Sequence, residues 1–119
     1  MRALLLALVV AGTGCTDTTL SENTAYRRLL DAYDSESECL ASTLDPCYQT
    51  LTLCASGRVS LDLERRPMSG EYRLHDGSVA VAQFLDMSLE FDLEARTSPD
   101  LPGRHPWLQV TSLTYDCED

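Results

Sequence analysis

From Tyr48 onward the chain alternates apolar and polar residues with a period of two, and that rhythm restricts it to half-buried β-strands more tightly than any other feature. Leu51 and Leu53 point one way and Thr50 and Thr52 the other; after Ala55-Ser56-Gly57, Val59, Leu61 and Leu63 alternate with Arg58, Ser60, Asp62 and Glu64. Glu71 to His75 and Ser78 to Phe84 flank Asp76-Gly77, a dipeptide that favours a tight hairpin because both positions tolerate positive φ. Leu89, Phe91, Leu93 and Ala95 alternate with Glu90, Asp92, Glu94 and Arg96, predicting a fifth strand that runs to Ala95. Trp107 to Tyr115 supplies a sixth, with a slip in phase near Ser112 of the kind a bulge produces. No helical crossover separates these segments. The expectation is therefore a mainly β fold: a small antiparallel β-meander, barrel or sandwich of about six strands, stapled by disulfides.

Ahead of the strands the pattern changes. Tyr26, Leu29, Leu30 and Tyr33 recur at the spacing of one helical face, and Asn23 or Thr24 stands where a cap belongs. The spacing predicts one short N-terminal helix from about Thr24 to Asp34, with a first β-strand over Ala25 to Asp34 as the alternative for so short a segment. Ser35 to Cys47 reads as a loop held at both ends by cysteines.

The amino terminus is of another kind. Met1-Arg2 precedes a run from Ala3 to Ala11 without a polar side chain, followed by Gly12-Thr13-Gly14-Cys15. This is the layout of a signal peptide, and the apolar run is far shorter than the roughly 20 residues a membrane-spanning helix needs. A cysteine directly after small residues at such a boundary resembles the lipobox of bacterial lipoproteins, although Gly12 stands where the family usually has leucine. The resemblance implies cleavage before Cys15 and lipidation of Cys15. Ordinary secretion, with cleavage after Ala11 or Gly14, is the competing reading. The lipoprotein resemblance also implies an extracytoplasmic address, with the outer membrane favoured because Thr16 replaces the aspartate associated with inner-membrane retention. Two or more acyl chains would anchor the protein stably. The domain boundaries expected are a signal peptide over 1–14, a lipidated terminus and flexible polar tether over 15–23, and one small mainly β domain over 24–119.

Setting Cys15 aside leaves Cys39, Cys47, Cys54 and Cys117, an even set in a chain that reads as exported. Three pairings into two disulfides exist and sequence alone does not choose among them. Cys39 with Cys47 and Cys54 with Cys117 is favoured: the first closes a local loop, and the second fastens the last strand to the first hairpin. Their intervals of seven, six and sixty-two residues match neither a zinc knuckle nor a Cys-x-x-Cys redox pair.

Charge and composition exclude several function classes. The nine basic residues are all arginine, against 19 acids, for a net charge of −10; only Arg2 lies in the leader, so the mature chain is more acidic still. Such a balance argues against nucleic acid, whose phosphates require a basic footprint. The absence of lysine removes Schiff-base chemistry and any P-loop. Asp31, Asp34, Glu36, Glu38 and Asp45 form an acidic run, but counting an EF-hand loop from Asp34 places Cys39 at its obligatory glycine, so a solvated loop is expected and no metal. His75 and His105 accompany no Gly-x-Ser-x-Gly or His-Glu-x-x-His motif, so no catalytic residues and no cofactor are expected.

The one long connection, Thr97 to Pro106, carries three prolines and ends on the only tryptophan. Its restricted φ angles lower the entropy lost on binding, which makes Leu101, Arg104, His105 and Trp107 the candidate binding loop. The competing role for Leu101 and Trp107 is to plug one end of the barrel. The functional expectation is a lipid-anchored, noncatalytic envelope lipoprotein that binds a protein or glycan partner. A lipocalin-like carrier of a small apolar ligand is the alternative, although so short a chain tends to fill its own interior, and an envelope enzyme comes last.

Overall fold

A computed structural model describes residues 18–42, 46–63, 66–111 and 117. The segment read as a signal peptide, Cys15 and the expected phase slip near Ser112 lie outside the described residues. In chain order the elements are β1 (Thr24–Leu29), α1 (Glu36–Ser42), β2 (Tyr48–Leu53), β3 (Arg58–Asp62), β4 (Pro67–His75), β5 (Val79–Gln83), β6 (Ser88–Asp92) and β7 (Leu108–Val110). Seven strands among the described residues form one antiparallel sheet in the order β6-β5-β4-β3-β2-β1-β7. It is a meander curled into a half-barrel, with the final strand laid on the free edge of the first.

The period of two places the core. Leu51 faces Leu61 and Leu53 faces Val59 across β2 and β3; Tyr72 faces Ala82, and Ala80 faces Phe91, across the next pairs. All are buried, as are Tyr26, Leu89, Leu101 and Trp107 in the same cluster. Curling brings β6 over β1, so that the Phe91 ring lies 4.8 Å from that of Tyr26 and meets Trp107 edge-on at 5.9 Å. Such aromatic pairs contribute roughly 0.5–1.5 kcal/mol each beyond the area they bury.

The bend is made at β4. Its first half, Pro67 to Glu71, pairs with β3, and its second half, Glu71 to His75, pairs with β5. Gly70 sits at the changeover, where a Cβ would stand 2.0 Å from the carbonyl oxygen of Gln83 and 3.1 Å from the Phe84 ring. Glycine within a strand marks such a corner because backbone passes where a side chain would be. Gly70→Ala should therefore force backbone to move and cost about 3 kcal/mol, the upper part of the usual range for overpacking; urea denaturation of the purified variant measures it.

Two turns show how local chemistry sets strand ends. At the β4–β5 hairpin Asp76 and Gly77 take φ of 57° and 77°, the conformation expected of that dipeptide. β6 stops at Asp92 rather than running to Ala95. The Asp92 carboxylate accepts hydrogen bonds from the Glu94 and Ala95 amides at 2.9 and 3.0 Å, and Arg96 takes φ of 58°. This Asx turn folds the chain back so that Thr97 bridges Asp92.

The helix is the main correction. The segment expected as a helix from Thr24 to Asp34 forms β1 instead, hydrogen-bonded on one side to β2 and on the other to β7. Its inward side chains include Arg28, so the strand lacks the apolar alternation that identifies the others, and pairing on both edges outweighs its helical spacing. The short helix is α1, within the stretch read as a loop. Ser35 Oγ accepts from the Glu38 amide at 3.2 Å while the Glu38 carboxylate accepts from the Asp34 amide at 2.6 Å, an arrangement close to a capping box. Ser35-Glu36-Ser37-Glu38 carries that signature in plain view.

Both favoured disulfides are present: Cys39–Cys47 ties α1 to the start of β2, and Cys54–Cys117 ties the end of β2 to the carboxyl-terminal segment.

The segment read as a flexible tether is docked from Thr18 onward. Leu74 donates its amide to the Thr18 carbonyl at 2.7 Å, Thr19 Oγ1 donates to the Ala55 carbonyl at 3.0 Å, and the Leu20 amide donates to the Tyr72 hydroxyl at 3.0 Å. Asn23 Oδ1 accepts from the Ala55 amide at 2.8 Å. Polar composition had suggested solvation, but these residues complete hydrogen bonds that the sheet leaves open.

Tyr72 is central to that docking, since its hydroxyl also donates to the Cys54 carbonyl at 2.8 Å. Burial pushes its pKa above the ordinary 10.0, partly offset by the Leu20 amide bond. Tyr26 is raised by burial as well, with Arg96 opposing. The unfolded chain releases these protons first, so their contribution to stability is complete below about pH 10 and declines as pH rises through the folded-state values. Melting temperatures should therefore hold up to about pH 10 and fall as the pH rises beyond it, with a shallower fall in Tyr72→Phe.

Candidate functional site

The long connection from β6 to β7 crosses the curled sheet and is held from below by Arg28. On β1, Arg28 points inward and is 6% exposed. Its Nε donates to Gln49 Oε1 at 2.8 Å, Nη1 to the Leu101 carbonyl at 2.8 Å, and Nη2 to the Pro102 carbonyl at 3.0 Å. The planar guanidinium also lies over the Trp107 ring, 4.6 Å from its centroid. Burial lowers the Arg28 pKa and nearby Asp31 raises it, yet a guanidinium remains charged at neutral pH. Carbonyl dipoles and an aromatic face thus balance a buried cation.

Gly103 completes the fit. A Cβ there would stand 2.5 Å from Arg28 Nη1, so the backbone passes over the guanidinium only without a side chain.

The other end of the loop is fastened from outside. Arg104 donates from Nε and Nη2 to the Asp31 carbonyl at 3.1 and 2.8 Å, and from Nη2 to the Tyr33 carbonyl at 2.8 Å. It also pairs with the Asp34 carboxylate at 2.8 Å, and its amide donates to Asp31 Oδ1 at 3.0 Å. His105 Nε2 lies 2.7 Å from the Tyr33 carbonyl. On the β6 side, Asp100 Oδ2 accepts from the Glu90 amide at 2.9 Å, covering part of that strand's edge.

The four residues singled out in this loop therefore divide. Leu101 and Trp107 are buried in the core, in the position a plug would take, and among the described residues none accepts from the Trp107 indole N–H. Arg104 and His105 lie at the surface but hold the turn from Asp31 to Asp34. What the loop shows to solvent is Thr97, Pro99, Asp100, Pro102, Gly103, Arg104 and Pro106. Sequence reasoning missed Arg28 and Gly103, the pair on which the loop's position depends.

The acidic run is dispersed among structural tasks. Asp31 and Asp34 receive Arg104, Glu38 caps α1, and Glu36 pairs with Arg27 at 3.8 Å and accepts from the Tyr48 hydroxyl. Asp45 lies outside the described residues. Among the described residues no three histidine, cysteine, aspartate or glutamate side chains gather as a metal would require. His75 is exposed beside Asp76 at the hairpin tip.

Two open grooves flank the sheet. One runs between the docked segment at Thr18 and Thr19, the Ser56–Arg58 turn and the second half of β4. The other lies at the opposite end of β4, among Leu63, Met68, Phe84 and Met87, beside the fully exposed Leu85. The concave side of the sheet is filled by the core cluster. No protein-family model matches this chain, and no curated protein or solved structure matches it.

Proposed function

We propose that this protein is a lipid-anchored, noncatalytic binding module of the bacterial envelope, held by acyl chains on Cys15. The observation that carries the reading is the cysteine balance. Two disulfides account for Cys39, Cys47, Cys54 and Cys117, leaving unpaired the one cysteine that follows the small residues of the leader. Lipidation gives that residue a role, and disulfides suit an oxidising compartment.

The interior is occupied by side chains, so recognition belongs to the exterior, which favours a protein or glycan partner over a ligand in a lumen. The proline-rich loop is the contact surface: Arg28 beneath it and Arg104 beside it remove most of its freedom before any partner arrives. The anchor is tested by intact and N-terminal peptide masses of protein from its native membrane fraction, alkylated with and without reduction. Acyl mass on Cys15, with four cysteines alkylating only after reduction, is expected; an unlipidated terminus overturns it. The surface is tested by Pro106→Glu, whose side chain is exposed. Envelope partners cross-linked to the native protein should be lost with this variant while its melting temperature holds. Undiminished cross-linking would exclude the loop.

A further inference from the structure

We infer that the groove beside Thr18 is the membrane-facing surface of the domain, apposed to phospholipid headgroups. The inference rests on the anchored reading above and adds an orientation to it. Between Cys15 and Thr18 the chain advances three residues, a reach of at most about 11 Å even when fully extended. Thr18 is no free end: its carbonyl is bonded to Leu74, and the next two residues are bonded to Ala55 and Tyr72. An acylated Cys15 sits at the lipid–water boundary, so that boundary lies within this short reach of the sheet at the His75 end of β4. The other end, with Leu85, faces away from it.

The chemistry of the face agrees with that placement. In a chain with more than twice as many acids as arginines, this groove brings Arg58 and Arg73 together against Glu71, with Asp76 beside His75 at its end, so the face is balanced in charge where the rest of the domain is acidic. Arginine near a bilayer surface is attracted to anionic headgroups, whereas the acidic remainder of the domain is repelled. Tether and charge select the same side. The docked segment then works as a short rigid stalk, and the domain presents a constant orientation to its surroundings.

The test uses the full lipidated protein in nanodiscs of phosphatidylethanolamine and phosphatidylglycerol, with some lipids carrying a gadolinium chelate on the headgroup. Amide signals of residues 18–20, 56–58 and 73–75 should lose the most intensity, and those near Leu85 the least. A flexible glycine–serine linker inserted between Asp17 and Thr18 should even out the profile. Uniform loss in the native chain, or a maximum elsewhere, overturns the orientation while leaving the anchor intact. An N-terminal peptide without acyl mass overturns the anchor itself, and the orientation with it.

Discussion

Replacing Cys54 and Cys117 together with alanine should lower the unfolding free energy by about 4 kcal/mol, on the chain-entropy account of a disulfide that closes a long loop. The bond spans 63 residues, against 8 for Cys39–Cys47, whose loss should cost roughly 2.5 kcal/mol on the same account. For a domain near 100 residues the larger figure corresponds to a fall of about 20 °C in melting temperature, which circular dichroism reads directly. The structure says where the loss will be felt. β7 is three residues long and holds only the free edge of β1, so the disulfide is what returns the carboxyl-terminal segment to the sheet. Cys54 itself is buried, and its carbonyl receives the Tyr72 hydroxyl that also takes the Leu20 amide. Loosening this point should therefore expose the amides of residues 18–20 to hydrogen exchange as well. If the double variant melts no lower than Cys39→Ala with Cys47→Ala, the long closure is not what stabilises this fold.

Arg28→Met should be the most damaging single substitution that keeps side-chain length. It removes three hydrogen bonds and the cation over Trp107, leaving Gln49 and two loop carbonyls without their donor. An unsatisfied buried acceptor costs about 1–3 kcal/mol, and water entering the loosened loop recovers part of that, so a net loss of about 3 kcal/mol is expected. Arg28→Lys keeps the charge but not the fork that reaches Leu101, Pro102 and Gln49 together, and should recover less than half of the loss. Equilibrium denaturation gives the stability; hydrogen exchange at residues 101–107 shows whether the loop has lifted. Because the same loop is the proposed contact surface, Arg28→Met should also weaken partner cross-linking in parallel with the exchange. Retained protection at 101–107 would mean that Arg104 and the core hold the loop without Arg28.

These two results probe features that were unequally legible. The disulfides came from counting cysteines and from asking which closures are local, and the favoured pairing is the one observed. Arg28 was not legible. An arginine on a strand is read as outward because a buried charge is costly, and only the carbonyls of Leu101 and Pro102, more than seventy residues away, make the inward position tolerable. That same inward arginine hides β1 by breaking its alternation, which is why helical spacing of Tyr26, Leu29, Leu30 and Tyr33 was the stronger local signal. The early end of β6 has a comparable origin: alternation continues to Ala95, but the Asp92 carboxylate accepts from the amides of Glu94 and Ala95.

The candidate loop divides along the same line. Its prolines and its length are sequence properties, and they mark it as stiff. Which of its residues face solvent is not, since Leu101 and Trp107 are apolar enough for either role and the core had space for both. Likewise the mostly polar residues from Thr18 to Asn23 read as a tether until sheet edges with open donors and acceptors are present to receive them.

Sequence by itself therefore determined what depends on near neighbours: the period of two, the Asp76-Gly77 hairpin, the even cysteine set, the acidic balance and the apolar run that precedes Gly12-Thr13-Gly14-Cys15. Tertiary contact decided the rest: the strand character of β1, the inward Arg28, the docking of Thr18 and the face the loop presents. The physical division is one of range. Torsional preference and periodicity act over a few residues, whereas the desolvation of a charge or an open sheet edge is settled by whichever distant segment can satisfy it.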